Sequence, residues 1–332
     1  MDSKRPNKYC ALKYLFSIVC IMAMVSCTWV KDESDDCPYG FWLKLHYSYN
    51  ILDVEAAPKY LKDAYVYVYD ADGNYIKRIF ASQEALKTDN YRIRVEGLPE
   101  GDYQFVVWSG MDNSQYAVSG ETQPMDEFRI SLAGADTGFA IELPALYYGY
   151  LSKVHFDESH VIHDVEMMKN TNQLTCIAVA LSDATEMDPA DFDMRAVSAN
   201  GAMDAHNQLV SDTEITYTPF VQDSVTIEDA EYGTLHGVRF SLSTLRLLSD
   251  RDCRIILERK STNQSIFNVS IPQYVGMIGS LYTNLGRELT VQEYLDRQDF
   301  YTIVVYLSAD LDQILQLRVN SWRLRANNHL KL

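Results

Sequence analysis

The sequence predicts an all-β protein of two tandem β-sandwiches, and three observations carry that expectation. Apolar side chains alternate with period two along many short stretches, the pattern of half-buried strands whose successive side chains point to opposite faces. Turn-forming residues recur between those stretches at short spacing, and helical periodicity is scarce. After an N-terminal leader the chain still has 332 − 26 = 306 residues, more than one hydrophobic core usually serves.

The first strand is Phe41-Trp42-Leu43-Lys44-Leu45-His46-Tyr47, in which Phe41, Leu43, Leu45 and Tyr47 share a face. Residues 65–69, Tyr-Val-Tyr-Val-Tyr, form a second strand and Asn74 to Phe80 a third, joined by Asp70-Ala71-Asp72-Gly73-Asn74. Asp-Gly takes the positive φ that a tight hairpin needs. The same alternating carboxylates could begin a calcium loop, but the later ligands, including a bidentate glutamate, are missing. A turn at Glu96-Gly97-Leu98-Pro99-Glu100-Gly101-Asp102 leads into the strand Tyr103 to Trp108. The tyrosines at 65, 67 and 69 present one aromatic face, which would suggest glycan or protein contact if exposed, or packing against a covering element if not.

The polar stretch from Lys153 to His163 is the expected domain boundary, giving an N-terminal sandwich over 41–157 and a C-terminal one over 158–332. Strands are expected at Asp164 to Met168 and Leu174 to Leu181, with Lys169-Asn170-Thr171-Asn172 as the turn between them. Further strands follow at Val238 to Leu242, Cys253 to Leu257 and Phe267 to Ile271. A short helix fits Thr290 to Arg297, with Val291, Tyr294 and Leu295 as its apolar stripe. Tyr301 to Leu307 and Ile314 to Val319 close the chain as a hairpin.

The N-terminus has the three-part layout of a secretory signal: Lys4, Arg5, Lys8 and Lys13, then an apolar run from Tyr14 to Val25, then small Ser26. That run is shorter than the roughly 20 apolar residues of a membrane-spanning helix. Met24-Val25-Ser26-Cys27 resembles a bacterial lipobox, which implies cleavage after residue 26 and acylation of Cys27. Two or three acyl chains hold a protein firmly to a membrane where one does not, so Cys27 is read as an anchor. Lys31, Asp32, Glu33, Asp35 and Asp36 follow in a charged tether, residues 27–40, that cannot bury itself. This tether also looks like the lysine-plus-acidic signals that send lipoproteins of some Gram-negative bacteria to the outer face of the outer membrane; the alternative is a solvated linker without an address.

Removing the leader subtracts four basic residues and Asp2, leaving 25 basic and 45 acidic, a net charge of 25 − 45 = −20. Nucleic acid is therefore an unsuitable partner. Besides Cys27 the mature chain has Cys37, Cys176 and Cys253, an odd number that implies no complete disulfide framework. Cys176 and Cys253 are expected as buried apolar side chains, with any pairing left open.

Gly97-Leu98-Pro99-x-Gly101-x-Tyr103 resembles the turn before a strand in transthyretin-like sandwiches. Taken with Asp36-Cys37-Pro38, Tyr47-Ser48-Tyr49-Asn50, Asp72-Gly73, Lys169-Asn170-Thr171-Asn172, Ser198-Ala199-Asn200-Gly201, Glu293-Tyr294-Leu295-Asp296-Arg297 and Val319-Asn320-Ser321-Trp322, the mature chain resembles the FimB-type family of fimbrial anchors and minor subunits. Ser321 stands where that family would have Gly, and Cys176 where an ordinary apolar or basic residue is usual. The resemblance implies two tandem transthyretin-like β-sandwich domains after a lipidated flexible tether. It also implies fimbrillin-type pilus subunits as partners, joined by strand addition to an exposed sheet edge. Two strands are candidates for that contact: the first, with Phe41, Leu43 and Leu45, and the last, with Leu315, Leu317 and Val319. Both could instead be internal strands of a closed sandwich.

No nucleophile elbow, zinc helix, phosphate-binding glycine loop or Cys-x-x-Cys pair is present, so neither enzyme activity nor a cofactor is expected. His155, Asp157, Glu158, His160, His163 and Asp164 are metal-competent but sit in the presumed interdomain loop, where a solvated linker is the simpler reading. Asp223 and Glu228 would have to face each other across a cleft to act as an acid and base pair. Asp223-Ser224-Val225 resembles a short O-glycosylation acceptor motif. The alternative function that shares all these features is a surface glycan-binding lipoprotein of a polysaccharide-uptake system.

Overall fold

The computed structural model describes residues 40–111, 115–134, 139–157, 159–182, 185–274, 287–320 and 322–325. The leader, Cys27, Cys37 and residues 27–39 of the charged tether lie outside them. The N-terminal half holds strands β1 (Phe41–His46), β2 (Asp63–Asp70), β3 (Tyr75–Ser82), β4 (Arg92–Val95), β5 (Gly101–Ser109), β6 (Tyr116–Ser119), β7 (Arg129–Leu132), β8 (Tyr147–Phe156), β9 (Val161–Glu166) and β10 (Met168–Lys169). There follow β11 (Thr171–Ala180), β12 (Phe192–Ser198), β13 (Ala202–Asp204), β14 (Ile215–Tyr217), β15 (Val221–Asp229), β16 (Gly233–Leu245), β17 (Cys253–Arg259), β18 (Gln264–Ser270), β19 (Phe300–Leu307), β20 (Ile314–Val319) and β21 (Trp322–Arg325). The short helices α1 (Ala57–Tyr60), α2 (Gln83–Thr88) and α3 (Val291–Arg297) lie between them.

These strands form two sandwiches and a small covering sheet. In the first, the sheet β4-β1-β9 faces the sheet β10-β8-β5-β2-β3, and Phe41 packs on Phe105 and Phe156 with ring centroids 5.7 and 5.2 Å apart. In the second, β15-β16-β11-β19-β20-β21 faces β14-β12-β17-β18. The covering sheet, β13-β7-β6, joins strands from both halves of the sequence. The opening strand is placed alike in both sandwiches: β1 lies between antiparallel β4 and parallel β9, and β11 between antiparallel β16 and parallel β19.

The five-stranded sheet is buried on both faces. Val66, Val68, Phe105 and Val107 point into the first sandwich, while Tyr67, Tyr69, Val106 and Trp108 point into a core that runs on into the second. The tyrosine face of β2 is therefore covered. Tyr67 stacks edge-on against Phe128 at 4.9 Å, and half-buried Tyr65 packs on Phe80 at 4.8 Å.

Local chemistry sets the turns. The Asp70 carboxylate accepts the backbone N–H of Asp72 and of Asn74, each at 2.9 Å, and Gly73 takes φ +85°, so this segment is the hairpin turn. In the Gly-Leu-Pro-Glu-Gly-Asp-Tyr turn, Tyr103 donates its hydroxyl back to the Pro99 carbonyl at 2.9 Å and Leu98 is buried. Thr290 caps α3 by accepting the Glu293 N–H at 3.1 Å.

Two sequence expectations need correction. The stretch from Lys153 to His163 covers the end of β8, its connection to β9 and the start of β9, and both strands belong to the first sandwich. A break at 157/158 would cut that unit, and the second sandwich opens only at Thr171 with β11. The segment Lys169-Asn170-Thr171-Asn172 is not a turn: β9 pairs with β1 while β11 pairs with β16 and β19, so the chain crosses between sheets there. Its polarity serves a buried crossing instead of a solvent-facing loop. The closing hairpin of β19 and β20 pairs as expected.

The fold makes a graded prediction. Phe105→Ala, at a fully buried site, should lower unfolding stability by about 3–5 kcal/mol, whereas Phe80→Ala, 53% exposed on the outer strand, should cost under about 1 kcal/mol; urea unfolding followed by near-UV circular dichroism checks both.

Candidate functional site

Among the described residues ten strands end a sheet, and the longest of them are β3, β15 and β18. An unpaired edge offers main-chain donors and acceptors to another chain unless it is guarded. On β15 the guard is charge and polarity. Asp223 forms a two-point ion pair with Arg239, while Ser224, Thr226 and Glu228 face solvent. β3 exposes Ile76 and Phe80 but carries Lys77 and Arg78 between them, and Arg78 pairs with Glu121.

The edge of β18 differs because it borders an apolar slot. Phe267, Val269 and Ile271 form one wall, and Tyr301, Ile303, Leu317 and Val319 the facing one. The slot keeps only about 10 Å³ of free space, roughly one water's worth. Its walls are already in contact, so a further strand would extend the sheet along β18 and not fill a void.

The residues singled out from sequence are placed unevenly. Phe41, Leu43 and Leu45 are buried in the core of the first sandwich, and β1 is hydrogen-bonded on both sides, so it is not an edge. β20 likewise lies between β19 and β21. Leu317 and Val319 are buried in the slot wall, while Leu315 is 45% exposed. Both strands are internal because the adjoining chain, β4 with β9 and then β21, folds back beside them. The edge that borders the slot, β18, was not singled out, although the alternation of Phe267, Val269 and Ile271 with Asn268 and Ser270 was its visible signal.

A buried polar seam joins the two sandwiches. Arg297, on α3, donates to the Asn50 carbonyl at 3.1 Å, to Asp53 at 3.0 Å and to Glu293 at 3.0 Å, and its guanidinium lies 4.2 Å from the centre of the Tyr49 ring. Next to it Asp296 takes both arms of Arg246, at 3.0 and 3.1 Å, and the remaining arm of Arg246 reaches the Asn207 carbonyl at 2.7 Å. Asn207 and Asn170 exchange two side-chain hydrogen bonds of 2.7 and 3.0 Å. Asn200 donates to the carbonyls of Leu245 and Arg246 and accepts from Tyr217 at 2.7 Å. Lys169 pairs with Asp299 at 2.7 Å. Every one of these buried groups is satisfied by a neighbour from another element, the condition under which a buried polar network specifies one arrangement.

Beside the seam lies an open cleft of about 350 Å³ between the segment Tyr47–Tyr60 and Asp299 with Phe300. Its rim exposes Leu52 at 69%, Val54 at 51% and Phe300 at 50%, a concentration of apolar surface that single scattered residues do not make.

The possible chemical groups do not converge. His155 pairs with Asp102 at 2.8 Å, His163 stacks on Phe41 at 4.8 Å and Asp164 meets His46 at 3.0 Å. Among the described residues no group of three or more His, Cys, Asp or Glu side chains is arranged to hold a metal ion. Asp223 and Glu228 lie on one strand, where Asp223 pairs with Arg239 and Glu228 accepts from Thr234. Burial pushes the thiols of Cys176 and Cys253 up to about 12, and both are free in the core, as expected for apolar packing.

The family model for fimbrillin-A associated anchor proteins, Mfa1 and Mfa2, matches residues 33–328. The chain belongs to this anchor family. Among solved structures, an adhesin-like protein of Bacteroides thetaiotaomicron, described as a putative adhesin, is 26% identical with a TM-score of 0.76, covering 88% of this chain and 99% of its own. A protein of the same organism described as a putative polysaccharide binding protein is also 26% identical, with a TM-score of 0.73 over 87% of this chain and 98% of its own. The fimbrial anchor protein Mfa2 of Porphyromonas gingivalis shares the fold at 15% identity, with a TM-score of 0.63 over 87% of this chain and 99% of its own. No curated protein matches the sequence. Membership of the anchor family implies association with the cell surface and with fimbrial subunits. Of the segments that carry the family resemblance in the sequence, Tyr49-Asn50, Asn170, Asn200 and Asp296-Arg297 take part in the seam.

The seam makes its own prediction. Arg246→Leu leaves Asp296 buried without its partner and should cost about 3–5 kcal/mol, while Arg246→Leu with Asp296→Leu should recover most of that loss; thermal and urea unfolding of the two variants check it.

Proposed function

We propose that this chain is a lipid-anchored outer-membrane protein, held through Cys27 and facing the cell exterior, that anchors a surface pilus or serves as its accessory subunit. The pilus subunit joins by adding a strand to the free edge of β18. The observation that carries this reading is that β18, among the described residues, has a strand on one side only and borders an apolar slot, since such an edge supplies main-chain hydrogen bonds to an added strand. Anchor-family membership supports it, and the lipobox-like Met24-Val25-Ser26-Cys27 supports the membrane attachment. The burial of Tyr67 and Tyr69 weighs against the glycan-binding alternative, whose platform was the tyrosine face of β2.

Two measurements test the proposal in cells. A photoactivatable cross-linker at exposed Asn268 of β18 should capture a pilus subunit, and the same group at Phe80 of β3 or Ser224 of β15 should not; capture from β3 or β15 alone would overturn the edge assignment. Cys27→Ala should shed pili into the medium with the subunit still bound, and pili retained at wild-type level would overturn the lipid anchor.

A further inference from the structure

His46 closes β1 with both ring nitrogens engaged by carboxylates. Nδ1 is 2.7 Å from Glu55 and Nε2 is 3.0 Å from Asp164. A neutral imidazole carries one N–H and can satisfy one of these acceptors, whereas the imidazolium satisfies both. The two carboxylates come from different elements, Glu55 from the segment before α1 and Asp164 from β9. Glu55 also accepts the backbone N–H of Tyr47 at 3.1 Å and of Ala57 at 2.8 Å, so it grips both ends of the loop between them. On β9, Glu166 accepts the N–H of Ser48 and Tyr49 and the Ser48 hydroxyl at 2.8–2.9 Å, and it holds the loop from the other side.

The groups facing His46 are of both signs. Lys44 of β1 lies two residues away on the same face and donates to the Asn90 carbonyl, and Arg92 of β4 stands opposite Lys44 in the ladder. Partial burial pulls the His46 imidazole down, but the hydrogen bonds it donates to Glu55 and Asp164, with the charge of both, outweigh it and hold the group above its ordinary value of 6.5. Glu55 is held below the usual carboxylate range against the opposing effect of burial, by the N–H groups of Ala57 and Tyr47 and by His46.

We propose that His46 is a pH-operated latch on the loop 47–56, and so on the wall of the cleft beside Phe300 that Ile51, Leu52 and Val54 line. Protonated, it clamps Glu55 to Asp164 and fixes the loop. Deprotonated, it releases one carboxylate, and Glu55 and Asp164 are left facing each other across a neutral ring. Because the folded-state value is raised, the latch is fully engaged below the unfolded value of about 6.5 and is lost as pH rises through the folded one. The cleft wall is therefore firmest in acid and loosens toward mildly alkaline pH.

The test uses the full mature chain. Hydrogen exchange of the amides of residues 47–57, corrected for the intrinsic pH dependence, should accelerate severalfold between pH 6 and pH 9 in the wild type. His46→Gln, which has no imidazolium form, should show the fast rate throughout with no pH step. A direct NMR titration of the His46 ring should place its midpoint above 6.5, the ordinary value of an imidazole. A loop whose corrected exchange does not change with pH in the wild type would overturn the latch. So would a His46 midpoint at or below 6.5, a result that needs no variant and holds even if His46→Gln folds poorly.

Discussion

The polar seam that runs from Tyr49 and Asn50 through Arg297, Asp296 and Arg246 to Asn207 and Asn170 is the constraint on which the arrangement of the two sandwiches depends. A hydrophobic interface tolerates sliding, because its attraction is non-directional. A buried guanidinium with each of its arms assigned to a named acceptor does not. Arg246 and Arg297 each bind at least two elements at once, so a shift that broke one contact would leave a charge buried without a partner, at a cost of several kcal/mol. The apolar core that continues from Trp108 and Phe128 into Phe192 and Phe240 supplies the bulk of the attraction, and the seam supplies its register.

That division explains which parts of the fold were legible in the sequence. Strands with one polar face, such as Tyr75–Ser82 and Cys253–Arg259, announce themselves by alternation, and so does the final hairpin, whose Ile314–Val319 strand is found with its expected ends. The strands β6, β7, β13 and β14 are three or four residues long, too short for a period to be read, and β7 takes one of its partners, β13, from the other half of the chain. Asn170 misled for a physical reason. Asparagine is favoured in turns because its side chain bonds to the nearby backbone, and here the side chain instead bonds Asn207, 37 positions away, which no local pattern reveals.

The candidate contact strands show the same limit. Alternation places Phe41, Leu43 and Leu45 on one face, but whether a strand is an edge depends on what lies beside it. For β1 those neighbours begin at residues 92 and 161. Only Leu317 and Val319 of the nominated residues border an edge, and they do so as the wall facing β18. The anchor-family motifs were recognisable in the sequence, whereas their role in joining the sandwiches became visible only when residues 50 and 297 were brought together.

The parallel pairing of β1 with β9 has a mechanical consequence. The chain enters the first sandwich at Gly40, and the strand that follows is hydrogen-bonded along its length to β4 on one side and β9 on the other. Inter-strand hydrogen bonds lie across the strand direction, so tension applied at Gly40 along the axis of β1 is shared by both ladders at once and must shear them together. A hairpin pulled at its open end gives way one bond at a time; a central strand drawn lengthwise does not. The first strand of the sandwich is thus built to carry load.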